Sequence, residues 1–335
     1  MLKYLAATAK VAPAGRKGPL VVIGNESGDM DSICSAVVGA YLYNCAFNRT
    51  TVPLFNIPRS DFRLRSDIQW LFDSVGIDTN GILFKEDVNF TSDTPLFLVD
   101  HNFPIVKGSV EAVVDHHDIE GLQSENADPY IREKSGSCMS LIIDYFCRHV
   151  PETVFTDEVL VKLALAPILL DTQNLTQKVE PVDTAIASFL QNKAPKLGSG
   201  ELFTTARQMK KSTKGFTALE LLKKDYKQWG ALGISSLPVT FEKLLTEFPD
   251  LPAAMKQWKA ERNLDVCVAM TNGKVKGTWK RQLAIVKPPF DVVESFPALE
   301  FVFKQETDGV LFFNQKNLSA SRKQVAPAFR EFLKI

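Results

Sequence analysis

The chain has no excess of either charge. Among 335 residues, 39 Lys and Arg stand against 39 Asp and Glu, for a formal net charge of zero. Proteins that coat nucleic acid or anionic membrane usually carry a basic excess, so neither partner is expected. Local patches inside a balanced total still admit an anionic substrate. Cysteine is scarce and unpatterned. Cys34, Cys45, Cys138, Cys147 and Cys267 are odd in number and form no CxxC pair, the usage of free thiols in a reducing compartment. No apolar run can span a bilayer, because the longest, Val159 to Leu170, is broken by Lys162 and Pro167. No repeat or biased tract is present, and 45% hydrophobic residues are enough to fill the cores of two domains.

Acids are absent before Glu26, while Lys3, Lys10, Arg16 and Lys17 are present. A mitochondrial presequence has that bias, but Arg and Ser are sparse for one. A short amphipathic helix carrying Leu2, Leu5 and Ala6 is the preferred reading. The expected compartment is the cytoplasm, with the mitochondrial matrix as the alternative.

Short β-branched runs alternate with amphipathic segments through residue 191. Strands are expected at 18–24, 51–57, 82–85, 95–99 and 110–114, and helices at 31–47, 59–75, 139–150, 157–170 and 182–191. This alternation predicts an α/β fold, a doubly wound and mostly parallel sheet. Residues 192–200, NKAPKLGSG, read as a linker. Beyond it, helices at 201–212 and 217–227 precede strands near 231–239, 265–271, 279–286, 299–303 and 309–313, and a last helix runs over 322–333. A smaller α+β domain with a mixed sheet is expected over 201–335, with a hairpin turn at Asn272-Gly273.

Histidine is the rarest informative residue. Only four occur, and three fall in two short acidic clusters. Four polar clusters end strands or helices: Asn25 to Ser32, Asp100-His101-Asn102, Asp115-His116-His117, and Asp171. Each has a plain reading alone. Asp29 and Asp31 can cap a helix, Asp100 to Asn102 can form a polar turn, and an HH pair can sit on a loop. Together they would converge at one sheet edge, where buried carboxylates need a cation. Carboxylate, carbonyl and imidazole are ligands for divalent metals. The N–H groups of 135–140, opening the helix at 139–150, could hold a phosphate, but a plain cap by Ser135 or Ser137 is the preferred reading, and Cys138 is expected to pack in the core.

This order of motifs resembles the DHH phosphoesterase superfamily. The matching stretches are GNESGDMDS (24–32), LVDHN (98–102), VVDHHD (113–118), SGSCMS (135–140) and ILLDTQNLT (168–176). In the second domain, SRKQV (321–325) and KKDYKQW (223–229) resemble the DHH-associated domain. Family II pyrophosphatases carry His where this chain has Asn25. Exopolyphosphatases of the fungal and protozoan type, and the animal prune proteins, carry Asn there. Prune proteins depart from Asp-His-His, which is intact here, so the resemblance is nearest to exopolyphosphatase.

The resemblance implies hydrolysis of terminal phosphoanhydride bonds of inorganic polyphosphate, supported by two divalent ions, Mg²⁺ or Mn²⁺. Asp100 would bridge the ions, Asp29 and Asn25 would serve one, and Asp31, His116 and Asp171 the other. Two such ions acidify a shared water and hold it in line with phosphorus. An amide oxygen is a harder, weaker ligand than imidazole, which favours Mg²⁺. His117 would act on a substrate oxygen or the leaving group. Lys227, Arg322 and Lys323 would contact substrate. Arg207, Lys210, Lys211, Lys214, Lys223 and Lys224 form a further basic stretch, and Lys274, Lys276, Lys280 and Arg281 another. Lys210, Lys211 and Lys214 read equally as a solvated helix face. The implied alternatives are a pyrophosphatase or short-chain phosphatase, and a prune-like regulatory binding protein. A monomer is expected.

Overall fold

A computed structural model describes residues 1–9, 18–119, 127–275 and 277–335. Lys10, Arg16, Lys17 and Lys276, singled out above, lie outside the described residues. The chain folds as two compact units, Met1–Lys210 and Lys211–Ile335.

In the first unit six strands form one parallel sheet: β1 (Leu20–Ile23), β2 (Thr51–Phe55), β3 (Leu83–Phe84), β4 (Pro95–Val99), β5 (Ser109–Asp115) and β6 (Tyr130–Arg132). Their spatial order is β3-β2-β1-β4-β5-β6. The direction of winding reverses between β1 and β4, and a doubly wound sheet opens a crevice there at its carboxyl edge. Every residue of β1, β2 and β4 is buried, so continuous apolar runs rather than alternation specify them.

The helices are α1 (Leu2–Thr8), α2 (Met30–Phe47), α3 (Arg59–Phe62), α4 (Ser66–Asp73), α5 (Cys138–Phe146), α6 (Glu158–Asp171), α7 (Pro181–Lys193) and α8 (Ser199–Lys210). Helices α2 and α6 are buried on nearly all sides, as expected where apolar residues leave no polar face. The single helix read over 59–75 is two, α3 and α4, with Arg63 to Arg65 between them.

The expected linker at 192–200 does not separate the units. It contains the end of α7 and the start of α8, and α8 buries Leu202 and Ala206 in the first core. Apolar spacing in α8 outweighs the local Pro and Gly, and the division falls ten residues later, after Lys210.

The second unit holds a mixed sheet, as expected. Its strands are β7 (Tyr226–Trp229), β8 (Leu232–Leu237), β9 (Val266–Val275), β10 (Thr278–Val286), β11 (Phe301–Thr307) and β12 (Val310–Gln315), in the order β11-β12-β10-β9-β8-β7. Only β8 and β9 run parallel. One face packs on α9 (Ala218–Lys224), α10 (Phe241–Glu247) and α11 (Leu251–Glu261). The other packs on α12 (Val292–Ser295) and α13 (Arg322–Leu333). Two local expectations change. The helix read to 227 stops at Lys224, and β7 follows it. Asn272-Gly273 is not a turn but lies inside β9, where Asn272 pairs with Arg281; Gly277, at φ +82°, sits at the turn instead.

Candidate metal centre

The crevice between β1 and β4 gathers the polar clusters. After β1 the chain turns through residues 24–29 into α2. A Cβ on Gly24 would collide with Ser32 Oγ, and Gly28 adopts φ +52° with Ile57 Cγ2 2.5 Å from where its Cβ would lie. Only glycine fits either place. Ser32 Oγ accepts the Asn25 N–H at 2.6 Å, and Arg65 donates to the Ser27 carbonyl at 2.6 Å, which pins the loop. Asp29 is the N-cap of α2, and its Oδ1 accepts the Ser32 N–H at 3.1 Å.

Asp31, in the first turn of α2, is buried and reaches across to α5. Its Oδ2 accepts the Cys138 N–H at 2.7 Å, and its Oδ1 accepts the Ser137 hydroxyl at 2.7 Å and the Met139 N–H at 3.1 Å. Asp31 therefore caps α5. Ser137 occupies the N-cap position, but its hydroxyl serves Asp31 rather than the helix. The expected serine cap is thus replaced by a carboxylate, which satisfies two orphan donors and the positive helix end at once. These N–H groups are not open to a phosphate. Burial raises the Asp31 pKa, His116 opposes that, and neighbouring Asp29 adds to it.

Asp100 follows β4 in the left-handed region, at φ +62°. A non-glycine residue there stores strain, which aims the carboxylate back across the strand ends. His116 Nε2 lies 3.1 Å from Asp100 Oδ1 and 3.9 Å from Asp31 Oδ2. His116 Nδ1 donates to the Ser135 carbonyl at 3.0 Å, which turns Nε2 to the crevice. Burial alone would lower the His116 pKa. The Asp100 hydrogen bond and the Asp31 and Asp100 charges outweigh it and lift the pKa to about 10. Asp100 itself is pushed well above the usual carboxylate range by burial and then by Asp31. Asp171, at the end of α6, is also raised, by burial and then Asp31, with the Lys210 charge on α8 opposing.

His117 is half exposed. Its Nδ1 donates to Asp115 Oδ1 at 2.8 Å and lies 3.7 Å from Asp100 Oδ1. Asp115 is fully buried and also accepts from Asn102 at 2.6 Å. Burial works to raise the Asp115 pKa, but the His117 and Asn102 hydrogen bonds prevail and hold it below its ordinary value.

The crevice thus brings Asp31, Asp100, His116 and His117 within reach of one another. Ligating atoms of Asp100, His116 and His117 all lie within 4.8 Å of each other. Asp29 and Asp171 act on the same group through their charges. Buried carboxylates of raised pKa beside imidazole form a hard oxygen and nitrogen donor set that suits a divalent cation.

Asn25 differs from the expectation that its oxygen serves a metal. Its Oδ1 accepts from Ser27 N–H at 2.8 Å and Ser27 Oγ at 2.6 Å, while its Nδ2 donates to the Asp100 carbonyl at 3.0 Å and Oδ2 at 2.7 Å. Partners on both sides fix the amide orientation. Asn25 is a donor to Asp100 here, not an open ligand.

In the second unit, Lys227 and Lys323 are exposed, and Arg322 at the start of α13 donates to the Asp225 carbonyl at 2.9 Å and its Oδ1 at 2.7 Å. Part of the expected basic stretch serves packing. Lys224 is buried, donates to the Ser212 carbonyl at 3.0 Å and lies over Phe216, and Lys223 lies over Trp258.

Sequence reasoning gave no role to Asp115, Asn102 or Asp183. Asp115 stood inside a recognised motif. Asp183, buried in α7, accepts from Gly136 N–H, Glu180 N–H and Ser140 Oγ at 2.7, 2.8 and 2.6 Å, and its one local signal is its place three residues after the N-cap Glu180, behind Pro181.

Residues 19–170 match the DHH family, N-terminal domain, and residues 205–332 match the DHHA2 domain. A Schizosaccharomyces pombe protein named "Putative exopolyphosphatase" is 32% identical, over 93% of this chain and 90% of its own length. A human protein named "Exopolyphosphatase PRUNE1" is 28% identical, over 93% of this chain and 75% of its own. A Methanococcus jannaschii crystal structure described as a "putative family II inorganic pyrophosphatase" superposes with a TM-score of 0.63 at 18% identity, covering 92% of this chain and 98% of that one. At that identity the likeness supports the fold.

Proposed function

The chain belongs to the DHH phosphoesterase family, and we propose that it is an exopolyphosphatase that releases orthophosphate from the ends of inorganic polyphosphate. The observation that carries this reading is the convergence of Asp31, Asp100, His116 and His117 at the switch point of the sheet, with Asn25 donating to Asp100. The names of the relatives support the substrate class.

Two divalent ions, Mg²⁺ or Mn²⁺, held by Asp29, Asp31, Asp100, His116 and Asp171, would supply positive charge against the attacked phosphoryl group and acidify the attacking water. The protein's own groups do the rest. Asn25 fixes the Asp100 carboxylate through its amide hydrogens. Asp115 holds Nδ1–H of His117 and fixes the orientation of the ring, so that Nε2 can serve a phosphate oxygen or the departing chain. In the balanced reaction, water forms the new O–P bond, the terminal P–O–P bond breaks, and the shortened chain leaves. Lys227, Arg322 and Lys323 supply cations for the substrate's phosphates, with Arg322 positioned by Asp225. Arg suits bidentate contact and Lys a point charge.

The test is orthophosphate release from long-chain polyphosphate, triphosphate, pyrophosphate and ATP, each with Mg²⁺ and with Mn²⁺. Long chains are expected to be hydrolysed fastest, with Mg²⁺ supporting turnover. Pyrophosphate as the best substrate would overturn the assignment.

A further inference from the structure

The carboxyl ends of β5 and β6 lie side by side. In their parallel register Val113, Val114 and Asp115 pair with Tyr130, Ile131 and Arg132, and the Glu133 N–H donates to the Asp115 carbonyl at 3.3 Å. Just past those ends, residues 132–135 hold both histidines of the crevice. The Ser135 carbonyl accepts from His116 Nδ1 at 3.0 Å, and Arg132 Nη1 donates to the His117 carbonyl at 3.3 Å. Ser135 thereby orients a candidate ligand, whereas the metal centre leaves Arg132 without a task.

Arg132 is exposed and has no acid of its own. Arg49, Arg59 and Arg148 each have a carboxylate oxygen within 3.2 Å, on Glu111, Asp87 and Asp144. Among the described residues, no carboxylate lies within 4.0 Å of the Arg132 guanidinium, although Asp118 and Glu133 are near it in sequence and exposed. A guanidinium carries five N–H donors in a planar fork, and the contact with the His117 carbonyl uses one. Its place in the sheet gives the others a direction of use. Strands β4, β5 and β6 are consecutive neighbours, about 4.8 Å apart. Their carboxyl ends carry Asp100, then His116 and His117, then Arg132. Carboxylate, imidazole and guanidinium thus follow one another outward from the switch point along one edge of the first unit.

We infer that Arg132 is a substrate-binding residue that holds the leaving phosphate chain, one strand further out than His117. The inference deepens the function proposed above and rests on it. With the attacked phosphoryl group among Asp31, Asp100 and His116, and His117 serving the departing chain, the next phosphate lies toward the end of β6. There a guanidinium fork matches two phosphate oxygens at once, which an ammonium does not. The His117 carbonyl already holds the fork, so less side-chain freedom is lost when a phosphate binds. The acids nearest the crevice are committed elsewhere, Asp115 to His117 and Asn102, so they do not compete for Arg132.

The test uses the full chain in Mg²⁺, with long-chain polyphosphate and triphosphate as substrates and Arg132→Gln and Arg132→Lys as variants. Glutamine can still donate to the His117 carbonyl but carries no charge, so it separates phosphate recognition from support of the backbone. Arg132→Gln is expected to lower kcat/KM about tenfold, mostly through KM, as for the loss of charge-assisted hydrogen bonds. Arg132→Lys should recover part of that loss, because an ammonium keeps the charge without the fork. Inhibition by orthophosphate, which has no leaving chain, should keep its parent constant. Mn²⁺ affinity by calorimetry and the urea midpoint should also stay at parent values. Parent kcat/KM in Arg132→Gln, an equal weakening of orthophosphate inhibition, or a loss of Mn²⁺ affinity would each overturn the inference. If the parent hydrolyses neither substrate, the proposed function fails and this inference with it. If it hydrolyses them and Arg132→Gln is unchanged, Arg132 alone is removed from the site.

Discussion

Asp31 and Asp100 are both assigned to the metals, yet their removal should affect the metal-free protein in opposite ways. The groups hydrogen-bonded to Asp31 are all donors: Cys138 N–H at one oxygen, and Met139 N–H with the Ser137 and Ser35 hydroxyls at the other. An asparagine there can offer one acceptor atom. The serine hydroxyls can rotate, but a backbone N–H cannot, so one buried N–H is left against an amide NH₂ group. That costs about 1–3 kcal/mol, and loss of the anion at the α5 N-terminus adds about 0.3–1 kcal/mol. Asp31→Asn should therefore lower metal-free stability by about 1–4 kcal/mol. At Asp100 the neighbours are Asn25 Nδ2 on one oxygen and His116 Nε2 on the other. An asparagine can accept from Asn25 and donate to a neutral His116, whose Nδ1–H stays on Ser135. Two buried charges disappear and each hydrogen bond keeps a partner, so Asp100→Asn should change metal-free stability by less than about 1 kcal/mol, or raise it. Urea midpoints in EDTA and mildly alkaline buffer read both values, and orthophosphate release should be abolished in each variant. Equal destabilisation by the two substitutions would refute the reasoning.

Three further outcomes follow from the same geometry. Asp115→Asn should lower kcat by about 10–100-fold, because the amide leaves one acceptor oxygen for two donors, His117 Nδ1–H and Asn102 Nδ2–H, and the His117 ring is no longer firmly held; a pH–rate profile displaced along with the loss separates this from a packing defect, and an unchanged kcat removes Asp115 from the site. His116 holds a proton up to about pH 10 without metal, and cation binding must displace it, so affinity for Mn²⁺ should rise as pH increases from 6 toward 9. Calorimetry in buffers of differing ionisation enthalpy should detect the released proton, and pH-independent affinity would contradict the assignment of His116 as a ligand. Asp183→Ala should destabilise the protein by about 3 kcal/mol in urea, since it strands the partly buried N–H of Gly136 and the buried Ser140 hydroxyl; a variant as stable as the parent would show that water replaces the carboxylate.

The parallel sheet was legible because its strands are buried on both faces. Runs such as PLFLV and LVVI declare themselves without alternation, and the ordered acidic motifs after them mark the carboxyl edge. Local punctuation was less reliable. Pro195 and Gly198 read as a linker, yet Leu202 and Ala206 of the next helix are packed in the first core. Asn272-Gly273 has turn chemistry, but cross-strand pairing with Lys280 and Arg281 carries β9 past it. The residues that meet at the crevice could be named from sequence, whereas their hydrogen bonds could not. Nothing in GNESGDMDS indicates that Ser27 takes up the amide oxygen of Asn25, or that Asp31 caps a helix over a hundred residues away. Those facts depend on which strand ends meet, and one-dimensional spacing does not contain that information.

Capping and charge together explain why such a costly cluster is tolerated. Burial lifts the pKa of Asp31, Asp100 and Asp171, the Asp29 charge adds to all three, and the Asp31 charge adds to the other two. A site of this kind would push its own side chains apart if they were held only by one another. Each instead has an anchor outside the cluster or in the backbone: α5 N–H groups for Asp31, Asn25 and the left-handed backbone for Asp100, Ser135 for His116, and Asp115 for His117. The anchors hold the donors in place at a cost in stability, and a divalent cation then needs little rearrangement to bind. The strain of Asp100 and the charge repulsion are thus two parts of one preorganised arrangement.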